Sequence, residues 1–237
     1  MTTAATLSRY ADLPALIGLM EGDEKHKGAA NSTLDVLWVL YDRVLAVTPE
    51  TAEDPARDRF LLSKGHGPTA YYAVLAAKGF LDVPTLRGWR AFDSPLGHHP
   101  DRVLVPGAEI GSGSLGHGLP LALGTALGLR ARGVRRADGR PPRVVVLVGD
   151  GELDEGSNHE AIAVAGRMRL ESLTTVVVDN ASSAHGWPGG IGARFEAEGW
   201  VSREVDGRDH DAMHTALTAP HPFRPLAVVV RVRPENR

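Results

Sequence analysis

The residues with the clearest chemical potential are Val148-Gly149-Asp150-Gly151-Glu152, which close a continuous apolar run. In open α/β sheets, ligands bind beyond the carboxyl ends of the strands. A carboxylate flanked by glycines there can hold a hard cation while the bare backbone lets a phosphate approach closely. A second apolar run ends in Val178-Asp179-Asn180, thirty residues after Asp150. An adjacent strand end would set the Asn180 amide oxygen beside Asp150. Mg²⁺ takes few protein oxygens and completes its octahedron with water and phosphate, so two strand-end oxygens and a diphosphate suit it. The plainer alternative is a tight turn at 149–151 and a local cap at Asn180; the second strand end at this spacing favours the cation site.

These residues need a rigid frame. Two runs, 144–148 and 174–178, are short, β-branched and uninterrupted, the pattern of buried parallel strands, and 158–169 suits the crossover helix between them. A third run covers 226–232. The first 60 residues read as helical, 59–62 as a short apolar run, and 70–79 and 119–130 as helices. Residues 134–142 are basic and Pro-rich, a loop pattern. The expected fold class is α/β, a parallel sheet flanked by helices on both faces.

The 237 residues, with net charge −3 and 43% hydrophobic content, suit one soluble domain. The absence of cysteine excludes a disulfide framework and thiolate chemistry. No basic stripe of the kind nucleic acid requires and no apolar run long enough for a membrane helix is apparent. With no basic-then-apolar leader in residues 1–15, the expectation is a cytoplasmic protein with neither a nucleic-acid nor a membrane partner.

Further motifs follow a family order. Ser63-Lys64-Gly65-His66, Gly113-Ser114-Leu115-Gly116, and Gly149-Asp150-Gly151-Glu152-Leu153-Asp154-Glu155-Gly156 with Asn180 resemble the N-terminal domain of the transketolases. His26-Lys27-Gly28 with Ser32 and Asp35 resembles that family's early His-Pro-Gly segment, Lys27 replacing the proline. The resemblance implies the diphosphate-binding domain of a thiamine diphosphate-binding fold. It would be a single domain over 1–237, with an N-terminal extension at 1–20 and a family-like core at 21–232.

Carried over residue by residue, the resemblance makes Asp150, Asn180 and the Ser182 backbone carbonyl the ligands of Mg²⁺, or of Ca²⁺ or Mn²⁺. Gly149, Gly151 and Glu152 would meet the diphosphate. Gly113, Ser114 and Leu115 would touch the aminopyrimidine side, and His66 the cofactor itself. His26, His66 and His99 would line the channel as catalytic groups, where histidine can hold sugar hydroxyls and exchange protons near neutral pH. Glu155 and Glu160 match an acidic relay between paired sites; they also read as ordinary solvated carboxylates. His98, His117 and His185 stay unassigned.

The family's activating glutamate belongs to a domain with no counterpart in this sequence. The resemblance therefore implies the N-terminal subunit of a split transketolase, a transferase of two-carbon ketol units. It would need a C-terminal-like partner that supplies the glutamate, in a heterotetramer. His117 stands in place of the usual glutamine, and the stretch after Asn180 is shorter than usual. The family's ordinary acceptor is a sugar phosphate; those departures put it in question and set a modified or carrier-tethered acceptor beside it. The rival readings are an acyloin-type synthase or 2-oxo acid decarboxylating half-enzyme, and a non-catalytic cofactor-binding partner protein.

Overall fold

The computed structural model describes residues 8–20 and 27–232. Its centre is a five-stranded sheet in which every neighbouring pair is parallel: β1 (Arg59–Leu62), β2 (Val144–Gly149), β3 (Leu173–Asp179), β4 (Val201–Asp206) and β5 (Leu226–Arg231). The spatial order is β1-β2-β3-β5-β4. Parallel neighbours require crossovers, and the helices supply them. They are α1 (Leu13–Ile17), α2 (Lys27–Val39), α3 (Thr69–Ala77), α4 (Gly118–Ala131), α5 (Gly156–Arg167), α6 (Gly190–Ala197) and α7 (His210–Thr218).

Alternation along the strands divides the core in two. Val145 and Leu147 of β2, Val176 and Val178 of β3, and Val228 and Val230 of β5 pack against α1, α2, α3 and α7. Val144, Val146, Val148 and Val177 face the other way, onto Leu119 and Ala122 of α4, Ala161 and Ile162 of α5, and Phe195 of α6. Burial on both faces explains why β2, β3 and β5 read as unbroken apolar runs. The α/β class with helices on both faces is therefore what the chain forms.

Two strands depart from the sequence reading. Residues 59–62, read only as a short apolar run, form the edge strand β1. The other edge, β4, carries Ser202, Arg203 and Glu204 and is only half-buried, so no apolar run marks it. Edge strands tolerate that polarity because one side faces water. Residues 8–20 of the expected N-terminal extension pack inward, and Leu13 and Leu16 are fully buried in the larger core cluster. No described helix is long and apolar enough to cross a membrane.

Gly166 shows how tightly the second layer is closed. A β-carbon there would stand 1.7 Å from the Glu198 carbonyl oxygen. Beside it, Trp200 Nε1 donates to the Ile162 carbonyl at 2.9 Å. Gly166→Ala must push α5 away from the turn before β4, and is expected to cost about 3 kcal/mol as an overpacking defect. Urea unfolding at neutral pH measures this; an unchanged midpoint would contradict the packing.

Candidate functional site

Three loops meet at the carboxyl end of the sheet, following β1, β2 and β3. The β2–β3 register pairs Gly149 with Val178, and the Asp150 amide donates to the Val178 carbonyl at 3.1 Å. Asp150 and Asn180 thus leave neighbouring strand ends. Asp150 is 2% exposed. Its Oδ2 accepts from the amides of Ser182 at 2.7 Å and Ser183 at 3.0 Å, and its Oδ1 from the Ser182 hydroxyl at 2.6 Å. The carboxylate therefore folds the 180–183 loop back over itself, helped by Ala181 in the left-handed region at φ 56°.

The Asn180 Oδ1 is buried and has no hydrogen-bond partner among the described residues. An orphaned acceptor of this kind costs free energy unless a ligand satisfies it. The Ser182 carbonyl oxygen lies over Gly151, 3.7 Å from where a β-carbon there would be. No group of three or more His, Asp or Glu side chains suited to a metal occurs among the described residues. One carboxylate, one amide oxygen and one carbonyl nevertheless form a hard-oxygen set that fits Mg²⁺ shared with a diphosphate.

Glu152 points the other way. It is 3% exposed, and its Oε1 accepts from the Ser63 hydroxyl and from the Gly116 amide at 3.0 Å. Its Oε2 accepts from the Gly149 amide at 3.2 Å. One carboxylate thereby joins the loop after β1, the loop before α4 and the end of β2. Burial pushes its pKa up, and the Ser63, Gly116 and Gly149 hydrogen bonds oppose that rise. Only the Glu152 backbone, on a helical turn whose first amides have no intrahelical partner, is left for an anion.

Lys64, in the loop after β1, lies against the same strand end. Its alkyl chain passes 3.3 Å from where a Gly149 β-carbon would stand. Burial lowers its pKa, and the charges of Asp150 and Glu152 work against that drop. A largely buried amine beside two carboxylates at a strand end is positioned for a bound anion, a placement that only the three-dimensional structure shows.

Of the three candidate histidines, two come together. His66 and His99 meet edge to face with ring centres 5.0 Å apart. His99 Nδ1 lies 3.1 Å from the Gly65 carbonyl, which can only accept, so the proton sits on Nδ1 and Nε2 is the acceptor in the neutral ring. Gly113, at φ 113°, passes beneath that ring; a β-carbon there would stand 2.7 Å from His99 Cγ. Ser114, exposed, and Leu115, half-buried, continue the same loop. His26 lies outside the described residues.

Other candidates stand apart. Glu155 and Glu160 are exposed at the start of α5. Asp35 serves as an internal clamp. Its carboxylate accepts from Tyr10 at 2.6 Å and Arg208 at 2.5 Å, and pairs with His210 at 2.7 Å. Burial opposes its ionisation, yet these donors outweigh burial and hold its pKa below the usual range.

Residues 16–233 match the family described as the transketolase thiamine diphosphate binding domain. The chain belongs to the transketolase family. It is 58% identical over 223 residues to a Rhodococcoides fascians protein named Ferredoxin fas2, covering 94% of this chain and 72% of that one. It is 36% identical to an apulose-4-phosphate transketolase subunit from Actinobacillus succinogenes, covering 86% of this chain and 74% of that relative. Against transketolase 2 of Xanthobacter flavus, also 36% identical, it spans 32% of the relative's length. The solved transketolase of Campylobacter jejuni superposes with a TM-score of 0.77 at 24% identity, over 97% of this chain and 38% of that one.

If Glu152 is the pin of this transketolase domain, Glu152→Ala strands the Ser63, Gly116 and Gly149 donors. The expected cost is about 3 kcal/mol or more of stability. Chemical denaturation measures it, and a loss below the error of the method would rule out the pinning role.

Proposed function

We propose that this chain is the cofactor-binding subunit of a two-component transketolase, which moves a two-carbon ketol unit from a ketose phosphate to an aldehyde acceptor. The observation that carries the reading is the buried, unsatisfied Asn180 oxygen on the strand end beside Asp150. Thiamine diphosphate, when bound, supplies the nucleophilic carbon and the electron sink. Asp150, the Asn180 amide and the Ser182 carbonyl hold Mg²⁺, or Ca²⁺ or Mn²⁺ in its place. The amides of Gly151 and Glu152 and the Lys64 ammonium meet the diphosphate. Gly113, Ser114 and Leu115 border the aminopyrimidine.

His66 and His99 face the substrate channel. With its proton fixed on Nδ1, His99 accepts a proton or a hydroxyl hydrogen through Nε2. His26 joins them by family position. The acceptor is a sugar phosphate or a modified, carrier-tethered aldehyde, since the 180–189 loop that would border it is short and largely exposed.

The partner is a transketolase C-terminal-like protein that contributes the activating glutamate. The relative from Actinobacillus succinogenes is itself named as one subunit of its enzyme. Glu155 and Glu160 pass protons between paired sites in the heterotetramer. The exposed Leu121 on α4 and Val164 on α5 give that contact an apolar surface, and Glu160 and Val164 share one helix face.

Titrating thiamine diphosphate into the protein with Mg²⁺ and its partner tests the site. Asp150→Ala is expected to weaken binding about a hundredfold or more, because a metal–diphosphate pair loses a charged ligand. Ser182→Ala, which removes the loop hydroxyl and keeps the carbonyl, stays within a few-fold of wild type and separates ligation from loop folding. Unchanged affinity in Asp150→Ala would refute the assignment.

A further inference from the structure

The basic segment at residues 134–142 takes no part in the proposed chemistry, and the fold gives it neighbours. Residues 130–143 contain six arginines and one carboxylate, Asp138. They lead into the amino end of β2, at the opposite end of the sheet from Asp150. Arg130 donates to the Met168 carbonyl at 2.8 Å, and the Val144 amide to the Ser172 carbonyl at 2.8 Å. Those bonds set the segment against Arg167 and Arg169, which precede β3. The near-neutral net charge hides this concentration.

Two of these arginines are internal. Arg136 pairs with the buried Asp58 at 2.9 Å, and Arg143 donates to the Val44 carbonyl at 3.1 Å. Arg132, Arg135, Arg140, Arg167 and Arg169 are exposed, and none forms an ion pair among the described residues. Nearby carboxylates are already engaged: Asp138 lies 3.5 Å from Arg136, and Glu171 accepts from the Phe223 amide at 2.9 Å. Five like charges on one end of a domain repel one another, so the arrangement is stabilised when an anionic surface covers it.

Apolar groups stand among the charges. Met168 is 43% exposed and Phe223 73%. Phe223 and Arg169 both hold left-handed backbone, at φ 59° and 50°. At Arg169 it is the closing turn of α5, whose Arg169 and Leu170 amides donate back to the Gly166 and Ala165 carbonyls. Arginine, methionine and phenylalanine together are what protein interfaces enrich. Asp138 and Glu171, interleaved with the arginines, would oppose a continuous phosphate backbone.

We propose that the amino end of the sheet, from Arg132 and Arg140 across to Arg169 and Phe223, is a docking surface for an acidic protein. It would bind independently of the partner held near the cofactor. Arginine charges steer the encounter, and Met168 and Phe223 anchor it.

The probe is a short amphipathic helical peptide of Glu and Leu, compared with a DNA duplex of equal charge, on the full chain carrying its cofactor. The peptide is expected to bind more tightly than the duplex and to weaken as salt rises. Arg132→Glu with Arg140→Glu lowers its affinity roughly tenfold or more, while Arg87→Glu elsewhere has little effect. Met168→Asp weakens peptide binding, and cofactor affinity is unchanged in all variants. Tighter binding of the duplex, no binding of the peptide, or indifference to the arginine variants would each overturn the proposal. So would salt-reversible self-association of the chain alone, seen by sedimentation and abolished by the same variants, because the surface would then serve a second copy.

Discussion

The carboxylate of Glu152 is the constraint on which the rest of the site depends. Ser63 and Gly116 lie in loops far from Glu152 in sequence, Gly149 ends β2, and one buried carboxylate accepts from all three. A buried charge without partners would be prohibitive, so these donors and the carboxylate specify one another. A parallel sheet makes the meeting possible, because every strand delivers its loop to the same end. The loop before α4 is drawn in from the side. Once it is held, Gly113 runs under His99, and His99 settles against His66.

Around that pin the site divides its labour between neighbours. Glu152 turns inward and fixes the frame, while Asp150, two residues earlier, orders the 180–183 loop and presents its oxygens at the strand end. Asn180 is left with an acceptor that nothing in the described protein satisfies. An incompletely satisfied polar centre on a rigid frame is the condition for binding a cation with a diphosphate, because the frame does not need to reorganise when they arrive.

Much of this is legible in the sequence, for physical reasons. The runs in β2, β3 and β5 are buried on both faces, so their composition is extreme and their ends are sharp, which locates Asp150 and Asn180. β4 escapes notice because an edge strand keeps Ser202, Arg203 and Glu204 on a half-wet surface. β1 escapes because four residues are too few to show a period. The direction of the Glu152 side chain, the burial of Lys64 and the Asp35 clamp to Tyr10 and Arg208 depend on partners remote in sequence, which motif spacing does not encode. Charge is legible only in total. A net of −3 conceals carboxylates at the carboxyl ends of the strands and arginines at their far end.

The proposed cation sits between the ends of β2 and β3, held by Asp150 and Asn180. A crystal of the protein grown with Mn²⁺ and thiamine diphosphate, measured at the manganese absorption edge, tests this most directly. One strong anomalous peak is expected in coordination contact with the Asp150 carboxylate and the Asn180 amide oxygen. A peak elsewhere, or ordered diphosphate with no metal between those two side chains, would contradict it.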